Sequence, residues 1–125
     1  MPHKILVVDD DDVVREALRR GFTKRNYDII EAAEGVEAVE KVKSEKPDAI
    51  ILDMVMPNLG GLEACRVIRD ELNNKELPII FLSTSEQDWD VLSSYVKGGS
   101  VYLVKPLDFN NDFFDKLTGI LENYL

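Results

Sequence analysis

The sequence holds one cysteine, Cys65, and one histidine, His3, in 125 residues. A lone thiol excludes an intrachain disulfide and any four-thiolate metal centre, and so small a Cys/His set argues against a dedicated zinc site. No apolar stretch is long enough to span a bilayer, and Met1-Pro2-His3-Lys4 does not open a secretory signal. Positive charge is scarce too: 15 Lys and Arg face 24 Asp and Glu, for a net charge of -9. That balance argues against nucleic-acid backbone or an anionic membrane as the main partner. The expected setting is therefore cytoplasmic, with cations, basic surfaces or other proteins as partners. With 45% hydrophobic residues, residues 1–125 are expected to form one domain. Surface scaling gives about 6,800 Å² of folded surface against roughly 20,600 Å² extended, enough burial for a core without covalent cross-links.

What the chain does have is alternation. Short apolar runs, rich in Val and Ile, occur at Lys4–Val8, Asp28–Ala32, Ala49–Leu52, Ile79–Leu82 and Val101–Val104. They read as strands. Between them, apolar residues recur at helical spacing: Val14, Ala17, Leu18 and Phe22; Val36, Val39 and Val42; Leu62, Cys65, Ile68 and Leu72; Val91, Leu92, Tyr95 and Val96; and finally Phe113, Leu117, Ile120, Leu121 and Tyr124. Asp12 and Asp108 are the expected caps of the first and last helices. Parallel strands need crossovers, and helical crossovers yield an α/β fold, a doubly wound five-stranded parallel sheet with helices on both faces.

In such a sheet, ligands bind beyond the carboxyl ends of the strands. This sequence puts Asp9 and Asp10 after the first strand, Asp53 after the third, Ser83 after the fourth and Lys105 after the fifth. Clustered carboxylates repel unless one protonates or a cation neutralises them. Oxygen-only donors suit Mg2+, with Mn2+ as the alternative, and Mg2+ readily bridges to phosphate oxygens. A lysine and a hydroxyl beside it could hold the remaining phosphoryl oxygens, and positioning with charge neutralisation is most of what phosphoryl transfer needs.

Taken together, Val8-Asp9-Asp10, Leu52-Asp53-Met54-Val55-Met56-Pro57 with Gly61, Ser83, Tyr102 and Lys105-Pro106 resemble a two-component response-regulator receiver domain along nearly the whole chain. The resemblance implies a flavodoxin-like strand order 2-1-3-4-5. It makes Asp53 the phosphoacceptor, taking a phosphoryl group from a sensor histidine kinase or a histidine phosphotransfer protein. Asp10, Asp53 and the main-chain carbonyl of Val55 would ligate Mg2+, with Asp9 acting through water. Lys105 would contact the phosphoryl group, Ser83 would move to hydrogen-bond it, and Tyr102 would swing inward. That movement would remodel the surface of the fourth helix, fifth strand and fifth helix. The Lys105–Pro106 bond is expected to be cis. The implied activity is a signalling switch with slow self-dephosphorylation, not a turnover enzyme. Its output would be a downstream protein or a fused effector domain, without direct nucleic-acid or membrane contact, or a phosphorylation-dependent homodimer.

Each residue also has a plainer reading. Asp9 to Asp12 could be a solvated turn, Asp53 a helix cap, Ser83 a strand-end hydroxyl, Lys105 a surface lysine, and Tyr102 core packing. Cys65 falls in an apolar stripe and reads as packing. Departures from the commonest receiver pattern are Gly60, which cannot cap the third helix with a side chain, Ser83 in place of threonine, and Thr84 in place of alanine. Val55, Thr84 and Ser85 flank the approach to Asp53 and are expected to tune access of histidine or water. Competing functions are a phosphorylation-independent interaction module and a small metal-dependent phosphatase. A flavin or nucleotide carrier would need a Gly- or Ser/Thr-rich phosphate loop where this chain has aspartates.

Overall fold

Strand identity follows from side chains that bury on both faces of the pleat. In the computed structural model, which describes residues 2–54, 56, 59–84 and 101–125, β1 (Lys4–Val8), β2 (Asp28–Ala32), β3 (Ala49–Asp53), β4 (Ile79–Ser83) and β5 (Val101–Val104) pair in parallel. Their order is β2-β1-β3-β4-β5. The central strands β3 and β4 are buried throughout, as uninterrupted apolar runs in a parallel sheet require.

Period-two alternation divides the core in two. Leu6, Val8, Ile50, Leu52, Ile79 and Phe81 meet α2 (Gly35–Glu45) and α3 (Gly61–Arg66) through Ala38, Val39, Val42, Ala64 and Cys65. The intervening residues Ile5, Val7, Ala49, Ile51, Ile80 and Leu82 meet α1 (Asp12–Thr23) and the C-terminal helix (Asn111–Glu122) through Leu18, Phe22, Phe114, Leu117 and Leu121. Helices thus cover both faces. The accessible surface, 7001 Å², lies close to the roughly 6,800 Å² that chain length alone gives.

Helix ends correct two sequence expectations. Asp11, not Asp12, caps α1, because its carboxylate accepts the Val13 N–H at 2.9 Å. Asp12 instead places its charge in the first turn, near the positive end of the helix dipole. Asn110, not Asp108, caps the C-terminal helix, accepting the Phe113 N–H at 3.0 Å. Gly60 begins α3 without a side-chain cap, as expected. Helix α2 ends at Lys46 in a left-handed conformation, φ 48°, immediately before Pro47. Beyond α3 the chain continues through a wide π-type turn, Val67–Glu71. Val36, expected in the apolar stripe of α2, is exposed; the buried face of the helix runs through Gly35, Ala38, Val39 and Val42. The helix expected around Val91 to Val96 lies outside the described residues.

Phe114 joins the C-terminal helix to α1. Gly21 admits the Phe114 ring so closely that a Cβ there would lie 2.1 Å from it. Phe114 also meets Phe22 and Phe113 edge-on, with centroids 5.7 and 5.2 Å apart, and the Arg25 guanidinium lies 5.3 Å from its centroid. Removing a buried Phe from such a site costs about 3–5 kcal/mol. Phe114→Ala is therefore expected to lose about that much stability in urea unfolding, a large fraction of the total for a domain this size.

Candidate functional site

Registry brings the acidic residues together. Val8 pairs with Leu52, so the next step along β1 and β3 places Asp9 beside Asp53. Both belong to the alternation class of Ile5, Val7, Ala49 and Ile51, on the side of α1 and the C-terminal helix. Asp10 follows in the loop. One carboxylate oxygen from each of Asp9, Asp10 and Asp53 lies within 4.8 Å of the others. Asp9 and Asp53 are buried, 1% and 5% exposed, whereas Asp10 is exposed.

Lys105 has the same parity as Val101 and Leu103 on β5 and reaches back to this pair. Its Nζ lies 2.8 Å from Asp9 Oδ2 and 3.3 Å from Asp53 Oδ1. A long flexible stem is needed, since β5 stands two strands from β3, about 10 Å at normal strand spacing. The Lys105 N–H donates to the Ser83 carbonyl at 2.6 Å, extending the β4–β5 ladder and fixing the start of that reach. No peptide bond is cis among the described residues, which corrects the expectation for Lys105–Pro106; the lysine reaches both carboxylates from a trans bond.

Three carboxylates against one ammonium leave two negative charges unbalanced within the cluster, the charge of one divalent cation. Without a cation, Asp53 keeps its proton to a higher pH than an ordinary carboxyl. Burial, reinforced by the negative charge of Asp9, raises its pKa from 3.8 to about 6 despite the opposing pull of Lys105. Burial alone would lower Lys105, but its hydrogen bond to Asp9 and the charges of Asp53 and Asp9 outweigh this, so its net shift is upward. The donor chemistry fits Mg2+: oxygen ligands, a partly open side at Asp10, and surplus negative charge. The main chain also packs closely around Asp53. Gly61 N–H donates to Met54 O at 3.1 Å, and a Cβ on Gly61 would fall 2.1 Å from Asp53 O, so α3 starts in direct backbone contact with the end of β3.

Of the other expected site residues, Ser83 is buried at the end of β4 and shares its alternation class with Phe81. Phe81 pairs in register with Tyr102, which packs partly buried against the same cluster. Thr84 is exposed. Val55 and Ser85 lie outside the described residues. Helical spacing puts Arg15 outside the apolar stripe of Val14, Ala17, Leu18 and Phe22, and that stripe gives no sign of the contacts Arg15 makes. Arg15 turns back over the acidic loop: Nη1 donates to the Asp9 main-chain O at 2.6 Å, Nη2 pairs with Asp12, and Nε lies 3.5 Å from Glu31 Oε1 at the end of β2. The three-residue Asp12–Arg15 spacing was the available signal.

The raised Asp53 pKa has a definite consequence for stability. Folded and unfolded forms both bind the proton well below pH 4, so there is no penalty there. As pH rises from about 4 to about 6, the unfolded chain releases its proton before the folded one, and stability falls; above about 6 the penalty is complete. The displacement from 3.8 to about 6 corresponds to roughly 3 kcal/mol. In EDTA, Asp53→Asn is expected to be more stable than the parent at pH 7 to 8, with the advantage vanishing toward pH 4. Urea titrations across that range test this, and a constant difference would contradict the assignment.

The response regulator receiver domain family matches residues 5–113. Among curated proteins, Response regulator MprA of Mycobacterium ulcerans and of Mycobacterium bovis are each 42% identical over 106 residues, covering 85% of this chain. The chain spans 45% of the length of those relatives. Among solved structures, the response regulator TrrA of Thermotoga maritima, in complex with Mg2+-BeF, is 34% identical with a TM-score of 0.84, covering 100% of both chains. The receiver domain of sensor histidine kinase PA1611 of Pseudomonas aeruginosa, with magnesium in its active-site cleft, is 28% identical with a TM-score of 0.85, covering 99% of this chain and 98% of that one. Strand order, a carboxylate cluster with the charge deficit of a divalent cation, and a match across most of the sequence agree: this chain belongs to the response-regulator receiver domain family.

Proposed function

We propose that Asp53 accepts a phosphoryl group from a phosphohistidine on a sensor histidine kinase or a histidine phosphotransfer protein, in the cytoplasm, and that residues 1–125 act as a single receiver domain. The observation that carries this reading is the buried Asp9–Lys105–Asp53 ion cluster, with Nζ within 3.3 Å of both carboxylates. In the transfer, an Asp53 Oδ–P bond forms as the N–P bond of the donor breaks, and the donor imidazole leaves with its electron pair. Asp9, Asp10 and Asp53, with the Val55 carbonyl, are the residues that would hold Mg2+, which supplies charge neutralisation for the phosphoryl oxygens. Lys105 Nζ would shift its pairing from Asp53 to a phosphoryl oxygen. At about 6, the Asp53 pKa leaves the acceptor mostly ionised at neutral pH, as a nucleophile requires.

Ser83 and Tyr102 are the proposed switch. Ser83 lies two residues beyond Phe81 on the same face of β4, and Phe81 is the strand partner of Tyr102, so a displacement at Ser83 has a short path to the ring. Because Tyr102 is only partly buried and Val104 is 39% exposed, β5 offers a surface for a downstream protein, a fused effector domain or a second phosphorylated copy. Phosphorylation adds up to about two negative charges and three acceptor oxygens, which bias such an equilibrium toward the state that satisfies them.

Intact mass after treatment with acetyl phosphate and Mg2+ is expected to show one added phosphoryl group, sensitive to hydroxylamine and absent from Asp53→Asn. Stoichiometric labelling of that variant would refute the acceptor assignment. Sizing both forms reports on pairing. Val55, Thr84 and Ser85 are the proposed access residues; apolar Val55 and small Ser85 give an attacking water no strong anchor, so self-dephosphorylation is expected to be slow. Phosphate release should extend over minutes or longer at neutral pH, and loss within seconds would be the contrary result.

A further inference from the structure

We infer that Arg15 is a positioning residue for the cation site, acting through the main chain of the Asp9–Asp12 loop. The inference rests on the reading of Asp9, Asp10 and Asp53 as Mg2+ ligands. Four consecutive aspartates, Asp9 to Asp12, repel one another and favour an open, solvated loop. Two kinds of contact oppose that opening. Within the loop, the Asp11 N–H donates to Asp9 Oδ1 at 2.9 Å, and Asp11 in turn caps α1 through the Val13 N–H. From outside, one guanidinium ties three points together: Nη1 holds the Asp9 carbonyl at 2.6 Å, Nη2 pairs with Asp12, and Nε faces Glu31 at 3.5 Å. The Arg15 side chain is only 16% exposed, while Asp12 and Glu31 lie toward solvent at 87% and 39%, so the charge-assisted hydrogen bond to the carbonyl of buried Asp9 is the shielded one of the three.

The geometry requires a planar fork. Arginine can address a carbonyl and two carboxylates from its separate nitrogens, whereas an ammonium is a point charge that cannot hold all three at once. Glu31 belongs to β2, which pairs with β1, so the arginine fastens the acidic loop to the edge of the sheet as well as to the first turn of α1. None of these three contacts involves a side-chain oxygen of Asp9, Asp10 or Asp53. Its influence on the cation therefore passes through where the Asp9 backbone sits.

This role has a sign opposite to simple electrostatics. A nearby positive charge repels Mg2+, so neutralising Arg15 would by charge alone tighten binding, and keeping the charge as lysine would leave it unchanged. Positioning makes the reverse prediction for both variants. Outer contacts that orient metal ligands typically change affinity by about tenfold or more when removed. Mg2+ titration by calorimetry is expected to show about tenfold weaker binding in Arg15→Gln and weaker binding in Arg15→Lys. Amide hydrogen exchange in EDTA should show faster exchange of the Asp11 N–H in both, before any cation is added. Parent-like or tighter Mg2+ binding in either variant overturns the proposal. Failure of the parent protein itself to bind Mg2+ would instead overturn the underlying cation-site reading, so the two failures are distinguishable.

Discussion

The constraint on which the rest depends is electrostatic: Asp9 and Asp53 stand side by side on adjacent strands, almost wholly withdrawn from water, with one ammonium between them. Two ionised carboxylates in such a place are unfavourable without compensation, and a single lysine does not balance the cluster once Asp10 is added. The apo fold accommodates the excess by raising the proton affinity of Asp53. The same excess creates affinity for a divalent cation and, with it, for the oxygens of a phosphoryl group. A fold that tolerates this local penalty must supply stability elsewhere, and the two apolar layers either side of β3 and β4 do so.

Much of this arrangement was legible in the sequence because strand ends in a parallel sheet are positionally informative. Asp9 and Asp53 each follow an apolar run directly, and Lys105 follows another; once the runs are parallel and adjacent, their ends converge. The strand order itself came from the family resemblance, since periodicity does not say which strands are neighbours. The helix caps were less legible. In a run of aspartates, or in Asp108-Phe109-Asn110, several side chains can cap, and the choice rests on a single turn of backbone that no local pattern specifies.

Arg15 illustrates a different limit. Helical periodicity assigns it to a polar face, which is correct as far as solvent and charge are concerned, but periodicity carries no information about a side chain that folds back beyond the end of its own helix. Its partners come from the loop before the helix and from β2. Val36 shows the same point in reverse: apolar, and three residues before Val39, it is 46% exposed because the buried arc of α2 is centred on Gly35, Ala38, Val39 and Val42 and leaves Val36 to one side.

The junction between β3 and α3 is made of main chain on main chain. With hydrogen in place of a side chain at Gly61, the carbonyl of Asp53 abuts the first turn of the helix. A side chain could absorb a small displacement by changing rotamer; bare backbone has no such slack. Any adjustment of the strand end at Asp53 must therefore be shared by the helix behind it, which makes this junction a stiff mechanical linkage within the domain.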